Sequence, residues 1–337
     1  MALTAPHRPT GVPAVLVLRA LGLGDALTGV PALRGLRRRF AGHPLVLAAD
    51  GPPAALLRTC GVVDAVVPTR GLDAPPPGPR LPAVAGPGRT RHLAVNLHGR
   101  GPTSHRLLLA GNPLTLLCFA NPEEPSVGGP RWDPTEHEVR RWCRLVGHAG
   151  GRCDPTDLRL PMPPVRAPLP VAGGHVVVHP GAASGSRRWP APRWAAVARW
   201  LAAQGRRVVL TGGPDEQALA ATVAAGAGLA PSASLAGRLS LPELCVLVGS
   251  AALVCCGDTG VAHLATAFGT PSVRLFGPTP PTLWGPLSDP GHHAVLWYPN
   301  TSGDPHGERP DPALLRIDVA EVIAATRVLL AGGSWVG

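Results

Sequence analysis

Three acid-bearing turns and one arginine pair carry the chemistry available to this sequence. Asp258-Thr259-Gly260 follows an apolar run, 251–256, that reads as a buried strand. After it Val261, Leu264, Ala265 and Phe268 recur at helical spacing. The pattern predicts a helix with Asp258 and Thr259 at its N-cap and a glycine in its first turn. The free N–H groups and dipole of such a helix start hold an anion, a diphosphate among them, without a metal. A well-capped α/β helix would carry the same residues, so Asp258 taken alone fits either reading.

The other turns are similar in kind. Asp25 directly follows the turn Gly22-Leu23-Gly24 at a predicted helix start. It is either a helix cap or a general base able to take a proton from a hydroxyl. The run resembles a dinucleotide fingerprint but has Leu27 where the third glycine belongs, and only Asp50 could mimic the ribose-binding acid. Ser184, Ser186, Arg187 and Arg188 sit in a small-residue loop ahead of a helix whose Trp194, Val197, Ala198 and Leu201 form a core face. The arginines are a solvated basic loop or a clamp for charge on a leaving diphosphate. Glu216, after Gly212-Gly213-Pro214-Asp215, is an ordinary dipole partner in a first helical turn or a ligand for two ribose hydroxyls. His98, Arg100, His105 and Arg106 form a basic cluster, either a solvated loop and helix start or a patch that recognises an acidic acceptor.

These turns need strands behind them and helices after them. Strands are expected at 12–19, 45–49, 62–67 and 93–97, with helices at 26–40, 54–60, 104–117 and 136–146. Residues 73–88 read as an exposed Pro/Gly-rich loop. The pattern restarts after a second Pro-rich stretch, with strands at 175–179, 207–210, 251–256 and 272–276. Helices are expected at 193–204, 215–225, from the capping box Ser240–Glu243, and at 313–330. Strands alternating with helices imply parallel sheets, with ligands at the carboxyl ends of the strands.

The 337 residues suit two domains, and 45% apolar content suffices for real cores. All 31 basic residues are arginine, so any role that a lysine could fill falls to arginine here. A formal charge of +10 favours an anionic partner: a nucleotide, a phosphorylated glycan or an acidic membrane surface. One Tyr and four Phe offer no stacking platform for nucleic acid. Seven cysteines without C-x-x-C or zinc spacing fit a reducing cytoplasm, and Cys255 and Cys256 read as inert core. Arg19 and Asp25 interrupt the apolar N-terminal run that could mimic a signal peptide, and no stretch reaches membrane-spanning length.

Taken in order, the motifs resemble glycosyltransferase family 9, the heptosyltransferase family. The resemblance rests on Arg19, Gly22, Gly24, Asp25, Pro31 and the stretch from Asn96-Leu-His-Gly99 to Ser104 in the first half. In the second half it rests on Pro180-Gly181-Ala182, Arg188-Trp189-Pro190, Gly212 to Glu216, Leu235-Ala-Gly237 with Leu241, Asp258-Thr-Gly260 with His263, and Gly277-Pro278-Thr279.

That resemblance implies an α/β chain of GT-B architecture, two Rossmann-like domains with parallel sheets facing across a cleft. It suggests an N-terminal acceptor-binding domain over 1–160, a linker over 161–174, a nucleotide-sugar domain over 175–312, and a helix at 313–331 that packs back on the first domain. It implies an inverting transferase without metal or cofactor, the nucleotide-sugar being a co-substrate. The sugar would be heptose, from ADP-heptose, moved to a hydroxyl of a lipopolysaccharide-type glycan or glycolipid. Asp25 would be the base. Arg187, where many members carry lysine, would stabilise the departing diphosphate, with Ser184, Ser186 and Arg188 beside it. Asp258, Thr259 and Gly260 would cradle the diphosphate and sugar, His263 would lie near that sugar or serve helix packing, and Glu216 would meet the ribose. Gly24, His98, Arg100 and Arg106 would face the acceptor. The expected protein is a cytoplasmic monomer, peripheral at the inner membrane face, that does not bind nucleic acid. A GT-B-like epimerase or hydrolase, and a non-catalytic nucleotide-sugar binder, are the alternative readings.

Overall fold

The computed structural model describes residues 12–69, 72, 92–165, 169, 171, 173–299 and 303–335. The expected loop over 73–88, the extreme N-terminus and part of the 161–174 linker lie outside them. The chain divides into two compact units, Met1–Asp157 and Leu158–Gly337, so the break falls just before the expected linker.

The first unit holds β1 (Ala14–Leu18), α1 (Leu23–Thr28), α2 (Val30–Arg39), β2 (Leu45–Ala48), α3 (Gly51–Thr59), β3 (Ala65–Val67), β4 (His92–Asn96), α4 (Thr103–Leu109), β5 (Thr115–Leu117) and α5 (Glu138–His148). All its strands pair in parallel, in the order β3-β2-β1-β4-β5. Strands such as Ala-Val-Leu-Val-Leu are apolar throughout because a parallel sheet is covered on both faces.

The second unit holds β6 (Val176–His179), α6 (Ala191–Ala203), β7 (Val208–Leu210), α7 (Gln217–Ala227), α8 (Leu241–Gly249), β8 (Leu253–Gly257), α9 (Gly260–Phe268), β9 (Ser272–Leu275), α10 (Pro281–Trp284), β10 (His293–Leu296), α11 (Pro312–Arg316) and α12 (Val319–Leu330). Its parallel sheet runs β10-β9-β8-β6-β7. Each sheet therefore reverses its strand order once, between β1 and β4 and between β6 and β8. Those switch points open a crevice at the carboxyl ends of the strands.

Several expected elements are corrected by local backbone chemistry. The helix expected over 26–40 breaks at Gly29, where Pro31 offers no N–H to continue the ladder and Arg19 lies too close for any Cβ. The helix expected over 104–117 stops at Leu109; Gly111, Asn112 at φ 49 and Pro113 turn the chain into β5. Asp215 and Glu216 lie in a 3-10 turn, Pro214–Glu216, ahead of α7. The terminal helix is two helices, because Asp318 caps α12 by accepting the Glu321 N–H at 2.9 Å. Val322, Ala325 and Leu329 of α12 are buried in the second unit's core with Val197 and Leu201 of α6 and Val273 and Leu275 of β9. The expected inert cysteines are core: Cys255 and Cys256 are fully buried, and burial pushes each thiol up to about 12.

Candidate active site

In the first unit the β1/β4 switch point presents Asp25. It is the third residue of α1, with Gly22 as N-cap, so it is not the cap itself. Its side chain is 29% exposed. Burial raises its pKa above the usual carboxylate value; Arg19 opposes the rise, and the Glu138 charge adds to it. A carboxyl poised this way is a better proton acceptor than a surface aspartate.

Arg19, the first residue after β1, is almost fully buried and holds this corner together. Its Nε donates to the Asp25 carbonyl at 2.5 Å and its Nη1 to the Leu97 carbonyl. Its Nη2 donates to Thr28 Oγ1 at 3.0 Å and to Glu138 Oε1 at 3.1 Å, and lies 3.9 Å from Asp25 Oδ1. Glu138 opens α5. It also accepts from Trp142 Nε1 at 2.6 Å and from Arg141 Nη1 at 2.5 Å. The Arg19 guanidinium lies over the Trp142 ring, 5.1 Å from its centroid.

The loop after β4 completes the corner. Asn96 donates to Ser104 Oγ at 2.8 Å and accepts the His98 N–H at 2.9 Å, which gives the Asn96-to-Ser104 motif a structural purpose. The Ala20 N–H donates to His98 Nδ1 at 3.2 Å, so the neutral ring carries its proton on Nε2. Burial and the Arg19 charge hold the His98 pKa down. The expected basic cluster is not gathered into one patch. His105 is fully buried, with neither ring nitrogen bonded, against the space left by Gly101. Arg106 is exposed and tied to Glu124 Oε2 at 2.9 Å and the Glu123 carbonyl at 2.7 Å. Arg100 is exposed, and Gly24 is the second residue of α1.

In the second unit the β6/β8 switch point gathers the remaining residues. Arg187 Nη1 lies 3.4 Å from the Asp258 carbonyl and 3.8 Å from its Oδ2, while Nε donates to Ser184 Oγ at 3.1 Å. Ser184 Oγ donates in turn to the Pro305 carbonyl at 2.6 Å. Ser186 is buried; its N–H donates to the Gly307 carbonyl at 2.8 Å and its carbonyl accepts the Asp311 N–H at 3.1 Å. Arg188 Nε donates to the Ala182 carbonyl at 2.9 Å. Gly185 is essential to this seat, since a Cβ there would overlap the Glu308 carbonyl. An open cavity of about 400 Å³ is lined by Ser184, Arg187, Arg188, His306 and Glu308.

Asp258 is buried at the end of β8, and Thr259, not Asp258, is the N-cap of α9. Thr259 makes no capping bond and its Oγ1 has no partner. Gly260 opens the helix, and His263, one turn on, meets the Trp284 ring edge-on at 6.0 Å. Glu216 Oε2 accepts the Gly213 N–H at 2.7 Å, and its carboxylate fills the space a Cβ on Gly181 would take. It therefore stands over the carboxyl ends of β6 and β7. Among the described residues no group of three His, Cys, Asp or Glu side chains could hold a metal ion.

The structure thus brings Ser184, Ser186, Arg187 and Asp258 into one hydrogen-bonded seat and places Asp25 at the other switch point. Sequence reasoning missed Glu138 and Trp142, 119 and 123 positions beyond Arg19 and inside an ordinary amphipathic helix pattern. It also missed residues 303–311, which wrap the Arg187 loop without any periodic signal.

Residues 131–305 match glycosyltransferase family 9 (heptosyltransferase). Lipopolysaccharide heptosyltransferase 3 of Escherichia coli is 35% identical over 165 residues, 48% of each chain. The chain spans about half the length of the curated relatives it matches. The fold is similar to that of ADP-heptose lipopolysaccharide heptosyltransferase II of E. coli (TM-score 0.73, 20% identity, 95% of this chain and 99% of that one). It is equally similar to a glycosyltransferase family 9 protein from Veillonella parvula (TM-score 0.73, 20% identity, 95% and 98%). These likenesses make the fold GT-B: two α/β units, each with a five-stranded parallel sheet.

Proposed function

The chain belongs to glycosyltransferase family 9, and from that premise we propose that it transfers a heptose from ADP-heptose to a hydroxyl of a lipopolysaccharide-type acceptor, with inversion at the sugar. The observation that carries this reading is the Arg187 guanidinium held against Asp258 at the entrance to α9. A fixed cation beside a helix N-terminus is what a leaving diphosphate requires. The names of the relatives support the choice of sugar and acceptor.

The step is a direct displacement. Asp25 accepts the proton of the acceptor hydroxyl as its oxygen attacks the anomeric carbon. The bond from that carbon to the diphosphate breaks, and the electron pair leaves with the nucleoside diphosphate. Arg187, Arg188 and the first N–H groups of α9 receive the charge that builds on the departing oxygens. The Thr259 hydroxyl, without a partner of its own, is available to the same oxygens. Glu216 holds the ribose hydroxyls. No metal enters the scheme, since the arginines and helix dipole supply the positive charge. The protein is a monomer in the cytoplasm, and its arginine-rich surface, part of a +10 net charge, draws it to anionic lipid at the inner membrane face.

The test begins with thermal shift against ADP-, GDP-, UDP- and dTDP-sugars. Selective stabilisation by the ADP-sugar supports the reading, and selectivity for another nucleotide or a flat response to all four sinks it. Donor consumption in the absence of acceptor would point instead to an epimerase or hydrolase.

A further inference from the structure

The Arg19 guanidinium sits beside the Asp25 carboxylate without being bonded to it. Each of its nitrogens is engaged elsewhere: Nε with the Asp25 carbonyl, Nη1 with the Leu97 carbonyl, and Nη2 with Thr28 Oγ1 and Glu138 Oε1. Nη2 has only two hydrogens, and both have acceptors. Asp25 Oδ1, 3.9 Å from Nη2, therefore feels the cation but receives no hydrogen bond from it. A bonded guanidinium would hold the carboxylate as its counter-ion and cover the lone pair that a base must offer.

We propose that Glu138 is a positioning residue that, through Arg19, keeps the Asp25 carboxylate free of a hydrogen-bonded ion pair and so sets how readily it takes a proton. This rests on the reading of Asp25 as the base. Glu138 suits the task because it is 6% exposed and is itself fixed by Trp142 and Arg141. Its charge acts on Asp25 in the same sense, raising the carboxyl's affinity for a proton, while Arg19 opposes it. Among the described residues, Arg141, bound to the far oxygen of Glu138, and His98, whose pKa burial and Arg19 hold down, are the other charged or titratable groups packed at this corner. Removing the Glu138 charge weakens its hold on Arg19 Nη2 and leaves the cation uncompensated, so that its pull on Asp25 grows. Asp25 then becomes more acidic.

The experiment is a ¹³C NMR titration of the Asp25 carboxyl in the full chain, with the signal assigned by its loss in Asp25→Asn. Glu138→Gln should lower the midpoint by about one pH unit, the lower end of what a nearby unpaired cation produces. Thr28→Val frees the other Nη2 hydrogen without changing any charge, and should lower the midpoint by less. It replaces a buried residue by one of the same shape, so it tests the idea even if Glu138→Gln does not fold. An unchanged or raised midpoint in either folded variant overturns the proposal. The titration does not depend on turnover, so a protein that transfers no sugar would refute the proposed function and leave this result standing. Where transfer is measurable, the acid limb of kcat/KM in Glu138→Gln should move to lower pH and its plateau should fall, as a weaker base requires.

Discussion

At the scale of single residues, the balance of charges around Asp25 decides the pH behaviour. Burial raises its pKa, so the carboxylate needed by a base forms only above the ordinary aspartate range. Activity should be lost as pH falls through that raised value, earlier on the way down than for a surface aspartate. Asp25→Asn should lower transfer by about 10²–10⁴-fold, the usual worth of a general base, with donor affinity unchanged. Transfer near the wild-type rate would remove Asp25 from the role. In the other unit, Gly181 is tested by Gly181→Ala. The added methyl would overlap the Glu216 carboxylate, the far end of a flexible side chain, so the protein should fold while Glu216 swings away. Donor KM should rise about tenfold, which corresponds to roughly 1.4 kcal/mol, with kcat little altered. An unchanged KM would mean that Glu216 does not meet the donor.

At the scale of elements, helix ends do most of the positioning. The break at Gly29 turns the Asp25 carbonyl into an acceptor for Arg19 Nε, Thr28 Oγ1 and the Gly29 N–H together. That junction was hidden in the sequence because 26–40 keeps a helical pattern across it. Only the approach of Arg19 explains why the residue is glycine. The split before α12 was legible in principle, since Asp318 and Glu321 stand at capping-box spacing. Apolar residues that recur on both sides mask it. Asp318→Ala should cost about 1 kcal/mol of stability, read as a lower urea midpoint with an unchanged slope. The choice of sheet is another matter. Val322, Ala325 and Leu329 announce a buried face, but any apolar surface would satisfy them, and the contacts of α6 and β9 decide which one does.

At the scale of the whole molecule, the chain is two units, each with one reversal of strand order and each with its own set of polar residues there. Ligands should therefore act on the units unequally. Hydrogen exchange with ADP bound should slow at residues 184–188 and 257–263 and leave β1, β4 and α5 unchanged. Protection confined to the first unit would reverse the proposed division of labour. Net charge acts on the molecule as a whole. With +10 spread over arginines, binding to vesicles rich in anionic lipid should weaken steeply as salt rises, because surface charges are screened over about 10 Å at 0.1 M. Salt-independent binding would point to burial of apolar surface instead.

The sequence by itself determined the fold class, the parallel strands other than β5 and β10, and the loops that end them. It also picked out the residues at both switch points: Asp25, Arg187, Glu216, Asp258 and Thr259. These are local properties, written in apolar periodicity and in the turn residues that glycine, proline and short acids supply. Tertiary structure alone decided what those residues touch. It set Glu138 against Arg19 across 119 positions, hid His105 while leaving Arg106 at the surface, and seated Ser184 and Ser186 on residues 303–311. Contacts of that kind depend on how sheets and helices close over one another. No spacing along the chain encodes that closure, and so the partners that set a carboxylate's basicity emerge only when the chain is folded.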